Sequence, residues 1–325
     1  MYSNFSDFIN KYHRISVIQA ENPDGDSLGS ALALEEMLSS NEVTLYCPVQ
    51  IPKYLRYLNA WSRVSDEFDY DADAYIIVDT AAEVLISKIF RDSAAQNALE
   101  TKPVLVIDHH ETAPDLHFEY ESIIEKLPST TELIFRIARD QNIDINKEAA
   151  TYLLAGLLSD TLGLTSDTTT SAEYRTAADL LDYGLSIAEF EDARREFMKK
   201  SQRILDYKGD LIKRIEYSLD GRLATVLIPW EDIREFSDEY NPNILILEEL
   251  RYVEGVEVAV AIKTYPDGKL TGKVRSSAPI AEQIAGYFGG GGHKFASGFR
   301  VYESYDQILP ELEKVVLELL EDETI

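Results

Sequence analysis

Short apolar runs of strand character alternate with helical stretches through the first half of the chain. The runs are ISVIQA (15–20), EVTLYCP (42–48), AYIIVD (74–79) and PVLVIDH (103–109), with a shorter one near FEYES (118–122). Helical patterns are expected at about 28–39, 84–97, 130–140 and 147–159. Parallel strands cannot be joined by tight turns and need crossover segments, so this alternation predicts an α/β domain built on a parallel sheet.

Several runs end in carboxylates. Asp24 and Asp26 follow the first run in NPDGDS, Asp79 ends the third, and Asp108 with His109 and His110 ends the fourth; Asp160 follows the apolar helix YLLAGLLSD. Ligands of open parallel sheets bind at the carboxyl edge of the strands, so three of these sets are expected to converge on one crevice. Massed carboxylates raise one another's pKa unless a cation sits among them. Oxygen donors with one or two imidazoles suit Mn²⁺ or Mg²⁺ better than a thiolate-rich zinc site, with Zn²⁺ or Fe²⁺ left open. Two such ions sharing a carboxylate can activate water and polarise a phosphoryl group, so the expected chemistry is phosphate-ester hydrolysis. Further along, Ser129 or Thr130 is expected to cap a helix carrying Glu132 in its first turn, and a capped core helix accounts for that segment.

The remainder predicts a second domain. With 325 residues, 45% of them hydrophobic, the chain is long enough for two cores. The charged, helically periodic text at 187–212 is expected to be a linker helix between a domain at 1–186 and another at 213–325. In the latter, GRLATVLIPW and VEVAVAIKTYPDGKLTGKVRS read as strands, the second with a PDG hairpin turn. A helix APIAEQIAGYF, the run GGGGH at 289–293 and a final amphipathic helix follow. The glycine run is too rich in glycine for a strand or helix interior and predicts backbone that comes close to a phosphate. Arg275, in VRSS, is expected to clamp that phosphate through its guanidinium.

Composition excludes several classes of function. A formal charge of −27 disfavours extended binding to long duplex nucleic acid. Cys47 is the only cysteine, so there is no internal disulfide and no multi-cysteine zinc site. No apolar stretch is long enough to span a membrane and the first residues do not read as a signal peptide, so a cytoplasmic location away from membranes is expected.

The blocks NPDGDSLGS, VDT (78–80), DHH (108–110), LLSDTLGL (157–164) and RSS…GGGGHKFASG, in this order, resemble the DHH family of phosphoesterases. Within it, the resemblance is to the nanoRNA exonucleases (oligoribonucleases) that also remove the 3′-phosphate from pAp. It implies a parallel-sheet DHH domain, a linker helix and a smaller mixed-sheet α/β domain, with the active site in the cleft between the domains. It also implies Mn²⁺ at two positions, one held by Asp26, Asp79, His109 and Asp160, the other by Asp24 and the bridging Asp79. His110 would lie beside the scissile phosphate, with Asp79 and Asp108 as further catalytic residues. Arg275, Ser276, Gly290, Gly291, Gly292 and His293 would bind substrate. The partners implied are short oligonucleotides, pAp or linear dinucleotides, and a homodimer is allowed.

One position departs from the family pattern H-x-N-P-D-G-D: Ala20 stands where the histidine belongs. Glu21 and Gln19 should point to the opposite side of a regular strand, and His13 is far upstream. The metal position near Ala20 is therefore expected to be weak or empty. The alternatives are a degenerate, non-catalytic nucleotide-binding protein and a hydrolase of the pyrophosphatase or exopolyphosphatase kind.

Overall fold

The structure, a computed structural model, describes residues 2–110 and 113–322, apart from the side chain of His293. It divides into two compact units, Met1–Lys199 and Lys200–Ile325. No helix among the described residues is long and apolar enough to cross a membrane.

The first unit is built on six parallel strands: β1 (Arg14–Ile18), β2 (Glu42–Tyr46), β3 (Val64–Ser65), β4 (Ala74–Val78), β5 (Val104–Asp108) and β6 (Glu121–Ile124). Their spatial order is β3-β2-β1-β4-β5-β6. The chain starts in the middle, runs to one edge and returns to the other side of β1, so the topological switch lies between β1 and β4. Helices α1 (Ser3–Lys11), α2 (Gly25–Met37), α3 (Ser93–Thr101), α4 (Thr130–Gln141), α5 (Lys147–Asp160), α6 (Ser171–Leu181) and α7 (Ile187–Met198) complete it.

Alternation along the strands separates two cores. Ile15, Val17, Leu45, Ile76 and Leu105 pack with Leu28, Leu32, Leu133 and Leu153 of α2, α4 and α5. Ile18, Tyr75, Ile77 and Val106 pack with Ala95 and Leu99 of α3 on the other face. Both faces are covered, as parallel sheets require, and each such aliphatic side chain contributes ~1.5–3 kcal/mol by burial.

The single helix expected at 84–97 is instead two short 3-10 turns, Glu83–Leu85 and Ile89–Arg91, followed by α3. Glu21 accounts for the break: its carboxylate accepts the Lys88 amide and, at 2.8 Å, the Ser87 hydroxyl. Asp92 then restarts the helix by accepting the Ala94 amide at 2.9 Å.

The segment expected as one linker helix at 187–212 is also two helices, α7 and α8 (Gln202–Lys213), with Ser201 capping the second. Phe190 of α7 packs edge-on against Tyr57 in the first unit. Ile204, Tyr207 and Leu211 of α8 are buried in the second. Each half thus belongs to a different core.

The second unit carries strands β7 (Glu216–Ser218), β8 (Leu223–Ile228), β9 (Val258–Thr264), β10 (Leu270–Ser276), β11 (Gly291–His293) and β12 (Ala296–Val301), in the order β11-β12-β10-β9-β8-β7. The sheet is mixed: β8 and β9 are parallel and the other pairs antiparallel. Its remaining helices are α9 (Trp230–Phe236), α10 (Pro242–Arg251), α11 (Ala281–Tyr287) and α12 (Tyr305–Asp322). Helices α11 and α12 cover one face through Ile284, Leu312 and Val316, and α8, α9 and α10 supply the core on the other.

The glycine run does contain a strand, contrary to the expectation from composition. Gly289 ends α11 with φ of +72°, and Gly291–His293 pairs with β12. A Cβ on Gly290 would lie 2.2 Å from the Gly298 carbonyl oxygen, so the edge of the sheet closes only because that residue has no side chain.

Candidate metal centre

Asp24 and Asp26 occupy one turn but have different surroundings. Asp24 is the N-cap of α2, its Oδ1 accepting the Asp26 and Ser27 amides, both at 3.0 Å. Asp26, one turn position later, is fully buried and reaches the N-terminus of α4. Its Oδ2 accepts the Thr130 amide at 2.6 Å; its Oδ1 accepts the Thr131 amide at 2.9 Å and the Thr131 hydroxyl at 2.7 Å. These amides have no partner within their own helix, and the positive end of the helix favours the carboxylate. Thr130 and Thr131 are therefore part of the site, which the reading of this segment as a capped core helix missed. Their signal in the sequence is the hydroxyl cluster STT directly ahead of an apolar helix.

Across the switch point, Asp79 follows β4 with φ of +64°, a left-handed conformation uncommon for a residue with a side chain. Its amide donates to the Ile107 carbonyl at 2.9 Å and its Oδ1 accepts the Thr130 hydroxyl at 3.0 Å. The backbone strain turns its carboxylate toward Asp26 and His109 instead of along the strand.

Asp108 ends β5 and is almost fully buried. Its Oδ1 accepts the His109 amide at 2.8 Å and the His110 Nδ1–H at 2.8 Å. That bond raises the His110 pKa, since the carboxylate favours the imidazolium. Asp108 thus orients His110 and leaves its Nε2 free to face a ligand.

His109 is fixed from the other direction. Its Nδ1 lies 2.8 Å from the Leu127 carbonyl oxygen, which can only accept, so Nδ1 carries the proton and Nε2 the lone pair. That Nε2 is buried and has no hydrogen-bond partner. It faces Asp79 Oδ1 at 3.5 Å, Asp160 Oδ2 at 3.5 Å and Asp26 Oδ2 at 3.8 Å. Carboxylates gathered this closely around one ring nitrogen need positive charge among them, which a bound cation would supply.

The pKa shifts point the same way. Burial, then the neighbouring charges of Asp26 and Asp24, pushes Asp160 up to about 9. Burial, then Asp26, raises Asp24, and burial with the surrounding aspartates raises Asp79 well above its ordinary value. Asp160 is moreover the last residue of α5, where the helix dipole disfavours a negative charge. Donor atoms from Asp26, His109 and Asp160 lie within 4.8 Å of one another, as do those from Asp79, His109 and His110. Oxygen-rich donors with one imidazole lone pair fit a divalent cation of the Mn²⁺ or Mg²⁺ type. Asp24 is in neither group.

Ala20 is buried, and its carbonyl oxygen lies 3.5 Å from the Cys47 sulfur. Glu21 does not take the missing imidazole's place, because its carboxylate is engaged with Ser87 and Lys88. The Gln19 side chain is buried with both polar atoms unpartnered.

The expected substrate-binding residues lie in the second unit. Arg275 sits on β10, half-buried, with Nη1 donating to the Val274 carbonyl at 3.0 Å. The Ser276 hydroxyl is turned into the fold and donates to the Ala278 carbonyl at 2.6 Å. Gly290 closes the sheet edge, while Gly291 and Gly292 are exposed on β11. The side chain of His293 lies outside the described residues.

A family model described as the DHH family, N-terminal domain, matches residues 14–157, the span that holds all but the last of the clustered aspartates. The bifunctional oligoribonuclease and PAP phosphatase NrnA of Thermus thermophilus is 30% identical over 85% of this chain and 80% of its own length. A probable bifunctional oligoribonuclease and PAP phosphatase NrnA of Streptococcus mutans is 27% identical, covering 90% of this chain and 91% of its own. Among solved structures, an exopolyphosphatase-related protein from Bacteroides fragilis has the same fold, with a TM-score of 0.82 at 22% identity over 98% of this chain and 95% of its own. With strand-end aspartates, the DHH tripeptide and nearly full-length likeness to NrnA all in one chain, this protein belongs to the DHH family of phosphoesterases.

Proposed function

We propose that the chain is a Mn²⁺-dependent phosphoesterase that hydrolyses very short oligonucleotides, linear dinucleotides and pAp to mononucleotides. The observation that carries the metal dependence is the buried, unpartnered Nε2 of His109 facing Asp26, Asp79 and Asp160. The substrate class rests on the likeness to the NrnA proteins, whose names record oligoribonuclease and PAP phosphatase activity.

Asp26, Asp79, His109 and Asp160 would hold one ion, and Asp24 with the shared Asp79 a weaker one beside Ala20. Bound there, divalent ions supply Lewis acidity toward a phosphoryl group and lower the pKa of water. The chain's own groups do the rest. Thr130 and Thr131 keep the Asp26 and Asp79 carboxylates in place through the hydrogen bonds described above, so the donors need no reorganisation. Asp108 holds the His110 Nδ1–H, which presents Nε2 to the phosphate; protonated, it donates to the developing charge. In the second unit, Arg275 would bind phosphate oxygens and the exposed backbone of Gly291 and Gly292 would admit the nucleotide.

The deciding assay is release of mononucleotides from a dinucleotide, and of AMP from pAp, with Mn²⁺ added to the purified chain. Turnover of either supports the reading. No turnover of dinucleotides or pAp at any Mn²⁺ concentration overturns it, and binding of pAp without hydrolysis then selects a non-catalytic nucleotide-binding protein.

A further inference from the structure

The turn that follows Asp160 holds its backbone in a strained form. Leu162, Gly163 and Leu164 have φ of +52°, +73° and +66°, consecutive left-handed residues of which only the glycine adopts that conformation without steric cost. The turn is fixed from within. Thr161 is fully buried; its hydroxyl donates to the Leu157 carbonyl at 2.5 Å and accepts the Leu164 amide at 3.0 Å. The Thr161 carbonyl accepts the Thr165 and Ser166 amides at 2.8 and 2.9 Å, and the Gly163 amide donates to the Leu158 carbonyl at 2.7 Å.

Packing accounts for Leu164, which lies against the core of α2, α4 and α5, and for Leu219, which lies against a core of the second unit and is the remaining leucine with a left-handed φ among the described residues. It does not account for Leu162, which is in neither core of its unit and is 71% exposed. Strain in a bulky residue that buries nothing points to a role outside the fold. Its place narrows that role. Two residues span at most about 7 Å, so Leu162 stands at the rim of the metal centre that the Asp160 carboxylate enters. Ser159, the residue before Asp160, packs against the carboxylate turn of the first motif: a Cβ on Gly25, between Asp24 and Asp26, would lie 2.7 Å from Ser159 Oγ. Tyr174 is held beside the turn by its hydroxyl, which donates to the Leu164 carbonyl at 3.0 Å, and it too is exposed. Leu162 and Tyr174 thus put apolar surface on a turn whose other side chains, from Thr165 to Thr170, are hydroxyls and one carboxylate.

The phosphates of a nucleotide seek cations, whereas its base is the flat, uncharged part that gains from apolar contact. We propose that Leu162 is a substrate contact on which the base next to the hydrolysed phosphate rests, and that it selects nucleotides over phosphates that carry no base. This rests on the function proposed above and narrows it, since inorganic pyrophosphate offers nothing to an exposed leucine. Leu162 and the metal centre both belong to the first unit.

Calorimetric titration of the full chain with AMP and with inorganic phosphate, both with Mn²⁺ present, tests the contact in the parent, Leu162→Asn and Leu162→Met. Asparagine tolerates a left-handed φ and removes the apolar surface, whereas methionine keeps that surface. Leu162→Asn should weaken AMP about tenfold and leave phosphate unchanged, and Leu162→Met should bind both as the parent does. AMP weakened no more than phosphate, or a parent that binds AMP no better than phosphate, overturns the contact. In turnover, Leu162→Asn should raise KM for pAp about tenfold and leave that for the ribose bisphosphate lacking the base unchanged. Equal changes in the two overturn the selectivity. A Leu162→Asn chain that keeps its AMP affinity but sediments as a smaller species assigns Leu162 to an interface between copies instead, and so overturns the proposal. If the parent turns over neither substrate, the functional reading fails, and the AMP titration alone then decides whether Leu162 is a nucleotide contact.

Discussion

At the scale of single residues, the site is a balance of charges that the chain alone leaves unfavourable. Asp160 is pushed up to about 9 from an ordinary 3.8, so in the metal-free fold it stays protonated where the unfolded chain has already ionised. A folded pKa above the unfolded one means stability that is present below about 4 and is lost as pH rises through about 9. Metal-free protein should therefore lose Tm between those limits relative to Asp160→Asn, and a divalent ion should restore it at pH 8 in the parent only. Thermal melts of both proteins with and without EDTA measure this; a constant difference across the pH range would contradict it. Ala20→His addresses the second metal position proposed above. A restored imidazole should lower the half-saturating Mn²⁺ for dinucleotide turnover at least ~10-fold. An unchanged requirement would mean that another group already serves that position. From the motifs, Asp26, Asp79, His109 and Asp160 were all legible as candidates. Thr130, Thr131 and the Leu127 carbonyl were not, because they act through backbone and hydroxyl groups that no motif of acidic residues records.

Among the elements, the carboxylates meet because α2, α4 and α5 approach unusually closely. Cβ atoms built on Gly25 and Gly29 would lie 2.6 Å from Ser159 Cβ and 2.5 Å from the Tyr152 carbonyl oxygen. One on Gly156 would lie 2.3 Å from Thr131 Cγ2 and 2.7 Å from Asp26 Oδ1. Gly156→Ala should thus cost ~1–3 kcal/mol by overpacking and also displace the Asp26 carboxylate from α4. Chemical denaturation should show the loss of stability, and Mn²⁺ titration a weaker affinity; wild-type values in both would rule out this packing. Strands β1, β2, β4, β5 and β6 and the helices α4 and α5 were readable from their periodicity, with ends displaced by no more than three residues, whereas the two-residue β3 was not. Breaks were not readable: Glu21 interrupts the 84–97 segment from 67 positions away in sequence, and local periodicity carries no trace of such a contact.

For the whole molecule, the division falls at Lys199 and Lys200, inside what reads as one continuous amphipathic segment. Helical periodicity cannot reveal this, since α7 and α8 both bury one face; what differs is the core each face enters. Lys199 is exposed and follows the end of α7. Brief trypsin treatment should cut first at Lys199 or Lys200 and release fragments matching the two units, identified by mass spectrometry. Early cuts elsewhere, with this connection intact, would argue against the boundary. By itself the sequence determined the α/β class, the parallel sheet and the residues that gather at its carboxyl edge, because strand alternation, crossover connections and charged strand ends are local patterns. Only the tertiary structure decided that Asp26 is held by the N-terminus of α4 and that His109 turns its lone pair toward three carboxylates. Those depend on helix ends and carbonyl groups brought together from distant parts of the chain, and no local pattern encodes which ends will meet.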